Sequence, residues 1–345
     1  MAFIEQLLAI ARNTFFECVR QPISLVILIA SVLLVLISNP LSAFTMSDDQ
    51  RMYVDIGLST VFMSGAILAA FLATAVIDEE ISNRTVLLVV SKPVARVTFI
   101  LGKYLGATLA LTAITAVPAL TFLLVEVHGV MQTAATPYNW PCIVFGLAAV
   151  FMTIGTATWC NFFYGKSFAA IAALLGGPLL LIAYVLSLFF DSKWVAISAE
   201  TEFRFDLVVS ILLMFLSLGI ISAISVAVST RLGQVLTIGI TLAILVLGLL
   251  SDWIFARKIV ALEQLITVRD AAQGSSFDID QLALWAYKAG YAILPNFQVF
   301  WVVDAVNQGQ PIPLEYISLV VPYAVLMTIA ALALATALFQ RREVG

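Results

Sequence analysis

The sequence predicts an all-α protein, a polytopic transmembrane helical bundle of six to eight spans with an N-terminal interfacial amphipathic helix, and eight spans are favoured. Composition supports this class, since 62% of the 345 residues are hydrophobic, 11% are charged, and the mean hydropathy is +1.07. Soluble domains are about 45–50% apolar and about 25% charged, so a soluble globular fold is excluded. The other observation is a series of apolar runs of about 20 residues, the length that crosses a hydrocarbon core of about 30 Å.

By that length criterion the chain divides into an N-terminal segment, 1–21, and a transmembrane domain, 22–345. The candidate spans are 22–38, 56–77, 99–125, 142–161, 168–190, 207–229, 235–254 and 315–339. The domain also includes a polar segment, 78–98, and a long segment between the last two spans, 255–313. We interpret the first as a cytoplasmic coupling segment and the second as extracytoplasmic.

The N-terminal segment predicts a helix that lies in the plane of the membrane interface. Apolar residues recur there at the i, i+3, i+4 spacing of one helix face, and polar residues occupy much of the remaining surface. The residues of the apolar stripe are Ile4, Leu7, Leu8, Ala11, Phe15 and Cys18. A leader that packs on nothing would not need such a stripe.

The distribution of Lys and Arg predicts the orientation, because cytoplasmic loops carry an excess of both. With the N-terminus inside, ten cations lie on the cytoplasmic side. They are Arg12, Arg20, Arg84, Lys92, Arg96, Lys103, Lys166, Arg231, Arg341 and Arg342. The short outer loops receive only Arg51, Lys193 and Arg204, and the other four lie within 255–313. We therefore expect a multi-pass protein of the cytoplasmic (inner) membrane with both termini in the cytoplasm.

The extracytoplasmic segment contains two helix-like stretches, 255–272 and 278–292, separated by a Gly-Ser-Ser break. The following stretch, 294–301, is too apolar for a free loop and too short to cross the membrane. It is expected to lie in the interface or to dip back into the bundle.

Ionisable side chains are nearly absent from the predicted spans, and those present lie near the ends. Transporters driven by protons or sodium keep carboxylates or histidines at membrane depth, so this composition argues against an ion-coupled mechanism. The near-terminal residues are Asp55, Lys103, Glu126, Asp206 and Asp252.

Motifs for catalysis and for nucleotide binding are missing. HExxH and GxSxG do not occur, and Gly165-Lys166-Ser167 resembles the end of a phosphate-binding loop but has Cys160 where the first glycine is required. The three cysteines and the one histidine, His128, show no metal-ligand spacing. A net charge of −4 without a basic tail gives no indication of nucleic acid. We expect no enzyme activity and no cofactor or metal site in this chain.

The most informative feature is a dense polar island between two apolar runs. It begins with Asp78, Glu79 and Glu80, continues through Arg84 and Thr85, and ends with Lys92, Pro93 and Arg96. Charges at this density cannot lie in hydrocarbon, so the segment faces water or another protein. Gly102 and Gly106 follow at the spacing that permits close helix packing, although they are also readable as ordinary small residues.

This segment resembles the permeases of the type-2 ABC exporter family. The likeness lies in the acidic start, Arg84-Thr85, the Leu-rich turn, Pro93-Val94-Ala95-Arg96 and Gly102-Lys103-Tyr104-Leu105. The N-terminal amphipathic helix resembles the interfacial connecting helix of that family. Leu294-Pro295-Asn296-Phe297, Val303-Asp304-Ala305 and Pro311-Ile312-Pro313 are also similar. Typical members have six spans, whereas eight are counted here.

The resemblance implies a membrane subunit that works with a separate cytoplasmic ABC ATPase, two copies of each forming the transporter. ATP and Mg²⁺ would be bound by the ATPase. The residues expected to couple the two subunits are Asp78, Glu79, Glu80, Arg84, Thr85, Lys92, Pro93 and Arg96. A homodimer is expected, although a heterodimer is left open. The few charges on the spans favour an amphipathic or lipid-like cargo, or a hydrophobic peptide, over a metal or a sugar. Force transmission to an extracytoplasmic partner at 255–313 is also left open.

Three alternatives stay open at the level of sequence. The polar island can be a solvated loop whose charges merely follow topology, and the protein can be a non-transport scaffold that anchors an enzyme complex. A secondary transporter is the third.

Overall fold

The computed structural model describes residues 2–45, 48–82, 95–130, 138–273 and 278–340, with backbone alone at 2, 75–82 and 272–273. These residues form helices and connecting segments, and no β-strand occurs among them. The helices are α1 (Ala2–Arg20), α2 (Pro22–Ser42), α3 (Asp49–Ser82), α4 (Arg96–His128), α5 (Trp140–Tyr164), α6 (Phe168–Ser187), α7 (Phe205–Ser229), α8 (Gln234–Leu249), α9 (Arg257–Gln273), α10 (Ile279–Ile293), α11 (Val303–Asn307) and α12 (Leu314–Gln340). The predicted all-α polytopic bundle is confirmed.

Within the described residues, seven helices are long and apolar enough to cross a membrane: α2 to α7 and α12, with Asp49–Thr74 as the apolar part of α3. The remaining predicted span, 235–254, takes a different form. Helix α8 has 16 residues, roughly 24 Å of helix, and is shorter than the hydrocarbon core. A π-helical segment, Asp252–Ala256, follows it, and the pair Gln234–Leu249 and Asp252–Ala271 is bent by 50°. Counting this bent pair as one span gives eight.

Helix α7 lies at the centre of the bundle and packs against α3, α4, α8 and α12. Small residues make this possible, because close approach between membrane helices depends on van der Waals contact. The buried small residues of α7 are Ser210, Ser217, Gly219, Ser222, Ala223, Ser225, Ala227 and Ser229. The hydroxyls of Ser225 and Thr74 approach to 3.2 Å, which joins α7 to α3.

Local sequence explains the sharp turn between α5 and α6. Gly165 ends α5 with a φ of 60°, a left-handed conformation that favours glycine. Ser167 then caps α6, its hydroxyl accepting from the backbone N–H of Ala170. Asn139 caps the start of α5 in the same way through the N–H of Cys142.

The two helices predicted within 255–313 are confirmed as α9 and α10, which form an antiparallel hairpin. Arg269 of α9 forms ion pairs with Asp278 at 2.9 Å and Asp280 at 3.0 Å, and Lys288 pairs with Glu263 at 2.8 Å. These contacts hold the hairpin together at both ends of its helix pair.

Residues 294–301 pack back on the bundle, one of the two arrangements expected from their apolar sequence. The side chains of Phe297 and Phe300 are 1% exposed, and the N–H of Phe297 donates to the carbonyl of Gly248 at 3.3 Å. A side chain at residue 248 would collide with the Phe297 ring, so glycine allows this close approach.

Candidate functional site

The predicted coupling segment connects the C-terminal end of α3 to the N-terminal end of α4. Asp78, Glu79 and Glu80 lie in the last turns of α3, which continues without interruption to Ser82. The helix whose apolar part is Asp49–Thr74 therefore includes these three acidic residues without a break. Arg84, Thr85, Lys92 and Pro93 lie outside the described residues.

Arg96, at the other end of this segment, joins the start of α4 to the end of α12. Its guanidinium Nη1 donates to the carbonyl of Gln340 at 2.6 Å. One turn further along, the rings of Phe99 and Phe339 stack at 5.5 Å between centroids. A buried cluster, which we call the inner cluster, surrounds this contact and draws on α3, α4, α7 and α12. Its residues are Ala73, Phe99, Ile100, Ala223, Val226, Ala227, Leu332, Ala335 and Phe339.

Gly102 and Gly106 lie against α1. A Cβ atom at residue 102 would be 2.7 Å from Cγ2 of Ile10, and one at residue 106 would be 2.6 Å from Cβ of Thr14. At Gly106 the backbone of α1 is also in contact, because the added atom would be 3.0 Å from the N atom of Phe15. Glycine at both positions therefore lets the two helices touch along their backbones.

Lys103 adds an electrostatic contact to the same helix pair. Its side chain is 2% exposed, and its Nζ lies 3.5 Å from Oε2 of Glu17 on α1 and 5.8 Å from the centroid of the Phe99 ring. A buried ammonium is costly unless it is paired, so α1 supplies the partner that keeps this charge beneath the surface. No local sequence pattern connects residues 17 and 103.

The two halves of α1 have different surroundings. Ala11 and Cys18 of the predicted stripe are buried against the bundle, as is Thr14, which is polar. Ile4 and Leu8 are about 60% exposed. The first half of the helix thus presents apolar side chains outward, and the second half packs on α4.

Every near-terminal charge of the spans has a partner, which the sequence did not identify. Lys103 pairs with Glu17 as described. At the opposite end of α4, Glu126 accepts from Arg204 at 3.0 Å, which also pairs with Asp206 at 3.0 Å. Burial lowers the pKa of Arg204, but its hydrogen bonds and charge interactions with Asp206 and Glu126 outweigh this and raise it. These three residues join the C-terminal end of α4 to the N-terminal end of α7.

Asp252, at the bend after α8, belongs to a second polar network. Its Oδ1 accepts from the hydroxyl of Tyr291 at 2.8 Å and from Nδ2 of Asn296 at 2.7 Å. The backbone N–H of Asn296 donates to the hydroxyl of Tyr323 at 2.7 Å. Burial raises the pKa of Tyr291, and the carboxylate of Asp252 raises it further, so Tyr291 remains a donor. The network fixes the hairpin to the bundle.

One face of α3 is polar although it lies on the outside of the bundle at membrane depth. Asp55, Ser59, Thr60 and Ser64 line an open groove of about 540 Å³ between α2 and α3, together with apolar residues of both helices. Asp55 accepts from Nδ2 of Asn307 at 2.6 Å. Polar groups that face lipid are costly, so this groove suits contact with protein or with polar parts of a ligand. The i, i+4, i+5, i+9 spacing of these residues is the sequence pattern that could have predicted it.

Among the described residues no group of three His, Cys, Asp or Glu side chains is arranged to hold a metal ion. No protein-family model matches the chain, and no curated protein matches it significantly.

Proposed function

We propose that this chain is the membrane subunit of an ATP-driven transporter, an ABC permease, moved by a separate cytoplasmic ATPase that binds residues 78–98. The observation that carries the proposal is the convergence of four helices at the ends of this segment. Helix α3 precedes the segment and α4 follows it. Helix α1 packs closely against α4, and the end of α12 accepts a hydrogen bond from Arg96. A force applied to one short segment is thereby delivered to the whole end of the bundle.

The lengths of α3 and α4 suit this role. They have 34 and 33 residues, roughly 50 Å of helix each, which exceeds the hydrocarbon core of about 30 Å. Both are continuous helices, so a displacement at the coupling segment reaches the opposite membrane face. There Glu126 and Arg204 connect α4 to α7.

A second copy of the chain fits the polar face of α3. Asp55, Ser59, Thr60 and Ser64 are the polar residues that a transmembrane helix offers to another helix or to a ligand with polar groups. We propose an identical partner subunit at this groove, with a conduit for an amphipathic or lipid-like cargo between the two copies.

Co-purification with candidate ABC ATPases tests the proposal. The triple variant Glu79→Ala, Glu80→Ala and Arg84→Ala is expected to lose ATPase retention and the stimulation of ATP hydrolysis. The matched control removes the same charges from the loop between α6 and α7, as Glu200→Ala, Glu202→Ala and Lys193→Ala, and should retain both. Equal retention by the two variants would refute docking at 78–98.

The orientation has its own test. A single cysteine at residue 79 should react with an impermeant maleimide only in inverted membranes, and one at residue 200 only in right-side-out vesicles. The reverse pattern would place the coupling segment outside the cell and exclude a cytoplasmic ATPase.

Transmission of force to an extracytoplasmic protein is a second candidate function of the same ATP-driven motion. It is favoured by the exposed apolar face of α10, where Ile279, Leu282 and Trp285 are 60–78% exposed. Replacing residues 257–293 with a short linker discriminates between the two outcomes. Cargo transport by the shortened chain would support a conduit, and its loss with intact ATPase stimulation would support force transmission.

A further inference from the structure

A second cavity lies on another side of the bundle, between α2, α4, α5 and α6. Its volume is about 420 Å³, and its walls are mostly apolar, including Leu36, Leu147 and Val150. Polar side chains are concentrated at one end, where Asn39 and His128 line it. Thr121 is also in the wall, and its hydroxyl donates to the carbonyl of Val117 within α4.

Aromatic residues indicate that the polar end lies at the level of the membrane interface. The rings of His128 and Tyr138 are 6.1 Å apart, and those of Tyr138 and Trp140 are 6.3 Å apart. Tyr138 and Trp140 are more than half exposed, as expected of side chains in an aromatic belt.

The depth of the cavity matches one leaflet. Along α5, Val150 follows Cys142 by eight residues, roughly 12 Å at 1.5 Å per residue. Along α2, Val32 precedes Asn39 by seven residues, roughly 10 Å. Half of a hydrocarbon core of about 30 Å is about 15 Å, so the cavity extends from the interface to near the bilayer centre.

The size and polarity of the cavity select among possible occupants. Leu36, Leu147 and Val150 are 42–52% exposed, so the cavity is open along the side of the bundle, and its depth is comparable with the ~15 Å of hydrocarbon in one leaflet. Water needs two to four polar partners, but Asn39 donates to the carbonyl of Gly129 at 2.9 Å and the deeper walls are apolar. A flexible hydrocarbon chain meets both conditions.

We propose that this cavity binds one acyl chain of a membrane phospholipid, whose headgroup lies beside Asn39 and His128. The lipid comes from the leaflet at which α2 ends, which is the outer leaflet in the orientation proposed above. The site is independent of the coupling segment and does not require the chain to be a transporter.

Photocrosslinking tests the site. The purified chain is reconstituted in phosphatidylcholine nanodiscs that contain a phospholipid with a diazirine midway along one acyl chain, and the labelled peptides are mapped by mass spectrometry. Labelling is expected to concentrate on 121–128 and 142–150. Leu147→Trp should reduce it at least fivefold by filling the cavity. Leu212→Trp is the matched control, because Leu212 is also exposed and also lies seven residues into its helix.

Uniform labelling of all exposed span surfaces, or equal labelling in the Trp variant and its control, would overturn the proposal. Efficient disulfide formation between two copies of a Leu147→Cys variant would also overturn it, by showing that another subunit covers this face. Val150→Phe provides a second cavity-filling variant if Leu147→Trp fails to fold, and it should show the same loss of labelling.

Discussion

The contact between α1 and α4 leads to a quantitative prediction for Gly106→Ala. A methyl carbon at residue 106 would lie 2.6 Å from Cβ of Thr14 and 3.0 Å from the N atom of Phe15, and it would also collide with the carbonyl oxygen of Ala11. Carbon atoms pack at about 3.5–4.0 Å, so α1 has to move away by about 1 Å. The neighbouring atoms are mainly backbone, and a rotamer change cannot relieve the collision.

The cost follows from this displacement. A gap of about 0.5–1 Å removes roughly a quarter to a half of the attraction between packed atoms, and overpacking a well-packed site costs about 1–3 kcal/mol. Helix propensity acts in the opposite direction, because alanine is favoured over glycine by about 1 kcal/mol in a helix interior. Gly155→Ala on α5 is the control for helix propensity, because Gly155 also lies inside a helix and a Cβ there meets nothing within 4 Å. The difference between the two variants is therefore expected to be about 1–3 kcal/mol.

The reactivity of Cys18 measures this difference. Cys18 lies on the buried face of α1, is 0% exposed, and burial raises its pKa to about 12, so it reacts with a maleimide only when α1 leaves the bundle. In a background with Cys142→Ala and Cys160→Ala, Gly106→Ala should label roughly 5- to 150-fold faster than Gly155→Ala, the ratio that corresponds to about 1–3 kcal/mol. Equal labelling rates in two monodisperse preparations would refute the argument that α1 is held by backbone contact at Gly106.

The remaining predictions concern three polar contacts. Lys103→Met should lower the free energy of unfolding by about 1–3 kcal/mol. This is less than the ~3–5 kcal/mol lost when one partner of a fully buried ion pair is removed, because Glu17 is a quarter exposed. Adding Glu17→Leu should restore part of the lost melting temperature. Asn296→Ala leaves the partly buried Asp252 and Tyr291 without their shared amide donor, so it should cost about 1–3 kcal/mol and speed proteolysis within α9 and α10. An unchanged digestion rate would contradict this. Arg269→Gln should loosen only the distal end of the hairpin, with new cleavage there and an unchanged melting temperature of the bundle.

Sequence reasoning succeeded where the information is local. The length of each apolar run and the apolar stretch at 294–301 are properties of neighbouring residues, and the structure has the corresponding elements. It was incomplete at 235–254, because an apolar run of sufficient length does not indicate that the helix bends after Leu249.

The partners of the charged residues show where local information ends. Lys103 and Glu17, or Glu126 and Arg204, are separated by many residues, and no period in the sequence connects them. The polar face of α3 was also overlooked, because hydroxyl residues in an apolar run reduce its hydropathy only slightly. Their exposure becomes apparent once the positions of α2 and α3 are known.

The amino-acid order alone determined that this protein resides in lipid as a set of helices, because hydrophobicity and helical period act over a single turn or a single span. The tertiary structure decided which helices are in contact, including α1 against the two glycines of α4, and which charged residues are paired. It also decided the bend after α8 and the positions of the groove and the cavity. Contacts between membrane helices depend on the shapes of surfaces far apart in the chain, and only the assembled structure brings those surfaces together.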